Sequence, residues 1–240
     1  MMSRQGVDPG ATTLGATDPS DAAVRKSRGG RPPRISREEV IAAGLEVGLA
    51  NLTFRAVAEK LGVSVQALYK YVADRDELVA VIGEEILESY TSPVDDGRPW
   101  AEWIFDVALG LKELLTSSPG FAQVAITRGH AMPALLHAYE VQLQVATRSG
   151  FDLTTAMWAS RSVNEFVQSA VSRRELQQAS VADTGIEYWD DMKLTLAEAG
   201  NEKFPLLAAA LDDADALDYE KRFNAALRAL IAGLDALRTN

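Results

Sequence analysis

Apolar positions recur along this chain at helical spacing, and no segment shows sustained period-two alternation with β-branched enrichment, so the pattern predicts an all-α protein. The first regular segment opens at Ser36, has Glu39 three residues later as in a capping box, and carries Ile41, Leu45 and Leu49 up to Asn51. Thr53 then stands as a hydroxyl N-cap before Phe54, Val57, Ala58 and Leu61, which form a short second helix closed by Gly62. Ser64 caps a third over 65–72, with Leu68 and Val72 on one side and Gln66, Ala67, Lys70 and Tyr71 on another. Two short helices joined through Leu61-Gly62-Val63-Ser64 have the form of a helix-turn-helix. A fourth helix starts at Asp74 or Asp76, with Leu78, Ile82 and Ile86 on one stripe and Val79 and Tyr90 beside it.

Turn chemistry over 92–99 marks a joint. Beyond it, helical patterns cover about 100–117, 120–128, 133–149, 152–172, 188–199 and 219–237, with breakers at Pro119-Gly120, Gly129, Gly150 and Gly200. The expected total is about nine to ten helices: a three-helix head and a larger helical body. Residues 1–30 are rich in Gly, Ala, Thr, Ser, Pro and Asp with no hydrophobic period, which predicts a disordered tail with a basic end. The domain division is 1–30 tail, 31–75 helix-turn-helix head and 76–240 body, linked by a helix over about 74–90.

Charge sharpens that division. The 240 residues carry a net charge of -10, which evenly spread would argue against a nucleic-acid partner. Residues 25–75, however, hold ten bases against five acids, and the acidic excess falls in the body. A basic module on an acidic chain is the footprint of nucleic-acid binding, because the local field at a docking face outweighs the total. The run 25–34, with Arg25, Lys26, Arg28, Arg31 and Arg34, is suited to lying along phosphates or entering a minor groove. Cysteine is absent, which removes disulfide scaffolds, Cys-zinc sites and cysteine nucleophiles and fits a reducing, cytoplasmic setting. Neither a membrane span nor a secretory signal is legible. No Walker motif, dinucleotide glycine motif or Glu-flanked histidine pair is present either. The expectation is no enzyme, no cofactor and no metal site, with His130 and His137 in ordinary roles.

Four motifs together are more specific than any of these signals: Ile41-Ala-Ala-Gly-Leu45, Leu52-Thr-Phe-Arg-Ala-Val-Ala-Glu-Lys-Leu-Gly-Val63, Ala67-Leu-Tyr-Lys-Tyr-Val72 and Asp74-Arg-Asp-Glu-Leu78. Over residues 35–90 the chain resembles the DNA-binding head of the tetracycline-repressor (TetR/AcrR) family of bacterial transcription regulators. Trp100, Pro119-Gly120, Gly150-Phe151, Phe204-Pro205 and a final helix with Ile231 and Gly233 extend the resemblance, more weakly, over the family's ligand and dimerisation domain.

The resemblance implies a ligand-responsive regulator, a repressor that binds a near-palindromic double-stranded DNA operator as a homodimer and is released by a small organic effector of unknown identity. The implied DNA contacts are Arg34, Thr53, Arg55, Ser64, Val65, Gln66, Ala67, Tyr69, Lys70, Tyr71 and Arg75. Gln is suited to adenine and Lys to guanine or phosphate, whereas Val65 is apolar where a polar reader could stand. The effector would be enclosed by Trp103, Val107, Leu111, Ile126, Tyr139, Gln142, Met157, Trp158, Arg161 and Asn164. Dimerisation would use helices 152–172 and 219–237 through Phe166, Phe223, Leu227, Leu230, Ile231 and Leu234, a stripe that fits an internal core equally well. Tetracycline-binding members use histidines around a magnesium–drug complex; the matching positions here are Ala125 and Glu165, which speaks against that ligand. A dimeric interaction protein with only non-specific DNA binding, and an enzyme with a scattered site, remain as alternatives.

Overall fold

The computed structural model describes residues 35–90, 94–129 and 132–238; the tail, its basic run and Arg34 lie outside the described residues. Among those described there are twelve α-helices, ten of seven residues or more, and no strand. The total exceeds the nine to ten expected because two short helices fall between 204 and 218.

The head comprises α1 (Arg37–Val47), α2 (Phe54–Leu61) and α3 (Val65–Leu68). Its capping box forms in both directions, with the Glu39 N–H donating to Ser36 Oγ at 3.1 Å and the Ser36 N–H donating to Glu39 Oε2 at 2.7 Å. Helix α1 stops at Val47 rather than Asn51, because Gly48 takes φ 76° and residues Leu49–Asn51 tighten into a 3-10 turn. Its buried face is Val40, Ala43 and Gly44, leaving Leu45 exposed, so the Ile41–Leu45 stripe is displaced by one position. The cause is a close approach: a Cβ on Gly44 would lie 2.3 Å from Ile82 Cδ1, so glycine lets α1 seat against the fourth helix without displacing the Ile82 side chain. Thr53 Oγ1 caps α2, accepting from the Ala56 N–H at 3.0 Å. Ser64 makes no side-chain cap, and α3 is a single helical turn that continues as turns through Tyr71.

Helix α4 (Arg75–Glu88) opens at Asp74, whose carboxylate accepts the Glu77 N–H at 2.8 Å, and buries Leu78, Val79, Ile82, Gly83, Ile86 and Leu87. It packs on α1 in the head and on α6 (Phe121–Arg128) and α7 (Pro133–Arg148) in the body. In the body, α8 (Leu153–Thr184) packs against α5 (Trp100–Ser117), α6, α7 and α12 (Tyr219–Asp235). Helix α8 runs 32 residues, twelve past the expected end. Its apolar stripe fades after Ser172, yet Arg, Glu, Leu, Gln and Ala sustain a helix without burial, and the chain turns only at Gly185. Helices α9 (Tyr188–Ala199), α10 (Pro205–Asp212) and α11 (Ala214–Leu217) pack chiefly on one another. One continuous apolar core runs from Ile35 through α4 to Ile231, so head and body share an interior and α4 crosses it.

Candidate nucleic-acid interface and effector cavity

On the outer face of the head, Thr53, Arg55, Ser64, Val65, Gln66, Tyr69 and Lys70 are all exposed. Leu68 and Val72, at 0% and 1% exposure, anchor α3 and its following turn from behind, which fixes the direction of Gln66 and Lys70. The Tyr69 ring stacks on Phe54, centroids 4.8 Å apart, and thereby ties the two short helices together. Arg55 pairs with Glu59 one turn on, at 2.9 Å, in a pair so exposed that it is easily exchanged for another anion. No described residue pairs with Lys70. Ala67 is half-buried against the core, and Arg75 reaches back to the Leu52 carbonyl at 3.4 Å. Tyr71 is turned inward: its hydroxyl donates to the Ile35 carbonyl and its ring packs on the core.

A cavity of about 710 Å³ lies among the last turn of α4 and helices α5 to α8. Val107, Leu111, Ile126, Tyr139, Gln142, Met157, Arg161 and Asn164 line it. Trp103 and Trp158 do not. Trp103 is core, its indole N–H donating to the Val94 carbonyl at 2.9 Å, and Trp158 stands 61% exposed on α8. Leu87 and Tyr90, from the end of α4, also line the cavity and were missed; Tyr90 was legible only as a neighbour of the buried stripe.

Two polar atoms on this wall have no partner. Asn164 Nδ2 donates to Gln142 Oε1 at 3.2 Å, which leaves Asn164 Oδ1 buried and unmatched, and the Tyr90 hydroxyl is buried without a hydrogen bond. Burial raises the Tyr90 pKa, and the charge of Glu113 acts in the same direction, so the hydroxyl stays a donor at neutral pH. Arg161 and Glu165 form an ion pair on the same wall at 2.5 Å. The arrangement is a mostly apolar chamber with a few converging polar groups, the form of a small-molecule site. Ala125 and Glu165 both line it, and among the described residues no group of three or more His, Cys, Asp or Glu could hold a metal ion. His137 is exposed; His130 lies outside the described residues.

Helix α4 is fastened to the walls of this chamber. Glu84 Oε1 accepts the Ala134 N–H at 2.8 Å, satisfying a donor in the first turn of α7, and Arg128 at the end of α6 pairs with Asp76 at 2.5 Å.

The expected dimerisation stripe divides. Phe223, Leu227 and Ile231 are buried in the chain's own core, because they face α5 and α8. Phe166, Leu230 and Leu234 are half-buried beside it. Outward, α12 exposes Arg222, Ala226, Ala229 and Gly233 at i, i+4, i+7 and i+11, and a groove of about 240 Å³ between α12 and α8 is lined by Arg222 and Ala226 with Phe166, Ser169 and Arg173.

A helix-turn-helix head joined through one helix to a ligand-sized chamber is the build of an effector-controlled DNA-binding protein. Family models match almost the whole described chain: that of the bacterial regulatory proteins of the tetR family over residues 45–82, and that of the tetracycline-repressor-like C-terminal domain over 92–238. The chain therefore belongs to the tetracycline-repressor family, and it is a ligand-responsive, DNA-binding transcription regulator that acts as a dimer. It is 29% identical to the class D tetracycline repressor of Escherichia coli over 86% of this chain and 92% of that one, and 30% identical to the class G repressor of Vibrio anguillarum over 85% and 96%. ActR of Streptomyces coelicolor, solved in complex with actinorhodin, shares the fold at a TM-score of 0.71 and 23% identity, covering 87% of this chain and 99% of that one. A tetracycline-repressor variant from Acinetobacter baumannii bound to minocycline gives a TM-score of 0.63 at 26% identity, covering 86% and 96%. No helix among the described residues is long and apolar enough to cross a membrane.

Proposed function

We propose that the exposed face of α2 and α3 reads a near-palindromic operator and that a small, largely apolar organic effector in the 710 Å³ cavity releases it. Gln66 and Lys70 address base edges or phosphate, Thr53 and Arg55 hold the backbone at the N-terminus of α2, and Tyr69 braces the two helices. Arg34 and the rest of the basic run would add backbone or minor-groove contact. Two heads about one helical turn apart, ~34 to 36 Å, meet successive half-sites, with the outward faces of α8 and α12 pairing in a four-helix bundle. The setting is cytoplasmic, and the chain acts by binding, without catalysis.

The observation that carries this reading is the reach of α4. It starts against the head, where Arg75 approaches Leu52, and the chain at its other end puts Leu87 and Tyr90 into the cavity wall. A guest that hydrogen-bonds Tyr90 and Asn164 favours whichever tilt of α4 accommodates it, and its differential affinity for the two tilts sets how far the heads move off half-site spacing. The minocycline bound by the Acinetobacter baumannii relative supports a small organic guest; Ala125, at the position matching a histidine ligand, argues against a magnesium-chelated one. The test is selection of genomic DNA by the purified protein at near-physiological salt. An enriched near-palindrome whose binding falls with Lys70→Ala supports the reading; uniform, salt-steep binding would instead favour a non-specific binder, in keeping with the apolar, exposed Val65 on the reading face.

A further inference from the structure

A second cavity, of about 820 Å³, lies between the end of α5, the Pro119-Gly120 turn, the distal half of α8 and the start of α12, and it shares no lining residue with the effector chamber. Leu109, Val171, Leu176 and Ala179 give it an apolar wall. Its two cations are already engaged: Lys112 and Arg174 both pair with Glu220. Its other two carboxylates, Glu113 and Glu175, have no cation in ion-pair range among the described residues. Glu175 Oε1 accepts the Gly120 N–H at 3.1 Å, and on the same wall the Arg174 guanidinium lies over the half-buried Tyr219 ring, 4.0 Å from its centroid. Three carboxylates against two cations leave the lining with a net charge of -1, and an apolar space of that sign suits a positively charged organic molecule.

The cavity also touches the head. Ala50 lines it, and the Ala50 N–H donates to the Pro119 carbonyl at 3.1 Å. Gly120, at φ 87°, lies so near that a Cβ there would sit 2.7 Å from Ala50 N. Glu175 thus holds the turn on which the head rests.

We propose that this cavity is a second ligand site, taking a largely apolar organic cation against Glu113 and Glu175, and that its occupancy steadies the contact between Ala50 and Pro119-Gly120. The full-length protein is titrated with rhodamine 6G as the cationic probe and with anilinonaphthalene sulfonate as the anionic one, by fluorescence. The double variant Glu113→Gln/Glu175→Gln is expected to bind rhodamine 6G at least tenfold more weakly and the anion unchanged. Two comparisons should leave the cation's affinity intact: Asp190→Asn/Asp191→Asn, which removes the same charge from an exposed surface, and Ala125→Trp, which obstructs the effector chamber. If the double variant does not fold, as judged by circular dichroism, Ala179→Trp at the rim serves in its place and should cause a similar loss. Amide exchange over residues 48–52 should slow when the probe is bound. Failure of the cation to bind, equal binding by the carboxylate variant, or loss of binding in Ala125→Trp alone overturns the site; unchanged exchange at 48–52 overturns its link to the head.

Discussion

The proposed reading face of the head and the proposed effector chamber solve opposite problems with polar side chains. On the head, Gln66, Lys70, Thr53 and Arg55 stand in water, so they cost nothing while no DNA is bound, and what the fold supplies is direction through Leu68, Val72 and the Phe54–Tyr69 stack. In the chamber, Asn164 Oδ1 and the Tyr90 hydroxyl are buried without partners, at a cost of about 1–3 kcal/mol for each such group. One surface is solvated and supported from behind; the other holds buried polar atoms without partners, whose hydrogen bonds a guest can complete. In the proposed switch the sensing end is the one that holds unpaired polar atoms, and α4 joins it to the head.

The comparison breaks most visibly if the support behind the reading face is removed. Leu68→Ala takes a fully buried side chain from the core behind α3 and is expected to destabilise the chain by about 2–5 kcal/mol, read as a fall in denaturation midpoint, with DNA binding lost through misdirected Gln66 and Lys70. Lys70→Ala separates function from folding. It should weaken specific DNA binding by about 1–3 kcal/mol at fixed salt in an electrophoretic or anisotropy titration, with stability within about 0.5 kcal/mol of the parent. If Lys70→Ala instead weakened all sequences alike, Lys70 would be a phosphate contact and not a reader.

The head was largely legible before the structure because its signals are local. The Ser36–Glu39 box, the Thr53 cap and the Gly62 turn each act within four residues, and in the motif Ala67-Leu-Tyr-Lys-Tyr-Val72 the spacing places Leu68 and Val72 inside and Lys70 outside. Where a local reading went astray, a distant partner decided. Gly44 is buried because Ile82 approaches it from α4, and Tyr71 turns inward toward Ile35. The chamber was legible wherever helical spacing on α5, α7 and α8 put residues on one face, which brought seven of the named side chains to the cavity lining, with Ile126 of α6 as an eighth. It failed for the tryptophans, since size and aromaticity suit a core or a surface as well as a pocket. Tyr90 escaped because it follows the end of α4 and reaches the chamber only through the tertiary placement of that helix. Nothing in the polar second half of α8 announced that it stays helical, as its length rests on propensity and not on a buried stripe.

A finer test of the chamber is Tyr90→Phe. Removing a buried hydroxyl that has no partner should leave stability unchanged or raise it by about 1 kcal/mol, while a hydrogen-bonding effector should lose about two- to tenfold in affinity and release DNA less completely. Thermal melting and effector titration of the DNA complex check both halves. A clear loss of stability would mean that the Tyr90 hydroxyl is satisfied in solution, and the contrast between the two regions would fail.

The smallest expected effect concerns the anchoring of the chamber's longest wall. Asp152 caps α8, its carboxylate accepting the Thr154 and Thr155 N–H groups and the Thr155 hydroxyl, and these hydrogen bonds hold its pKa below the usual aspartate value, the Thr155 hydroxyl contributing most. A carboxyl depressed in the folded chain stabilises it above the unfolded value of about 4, and that contribution fades as pH falls through the folded pKa. Asp152→Ala should therefore lower the melting temperature slightly at pH 7, and the gap between parent and variant should close below about pH 4. A gap of constant size across that range would assign the cap to geometry alone, with the charge on Asp152 adding nothing to the hold on α8.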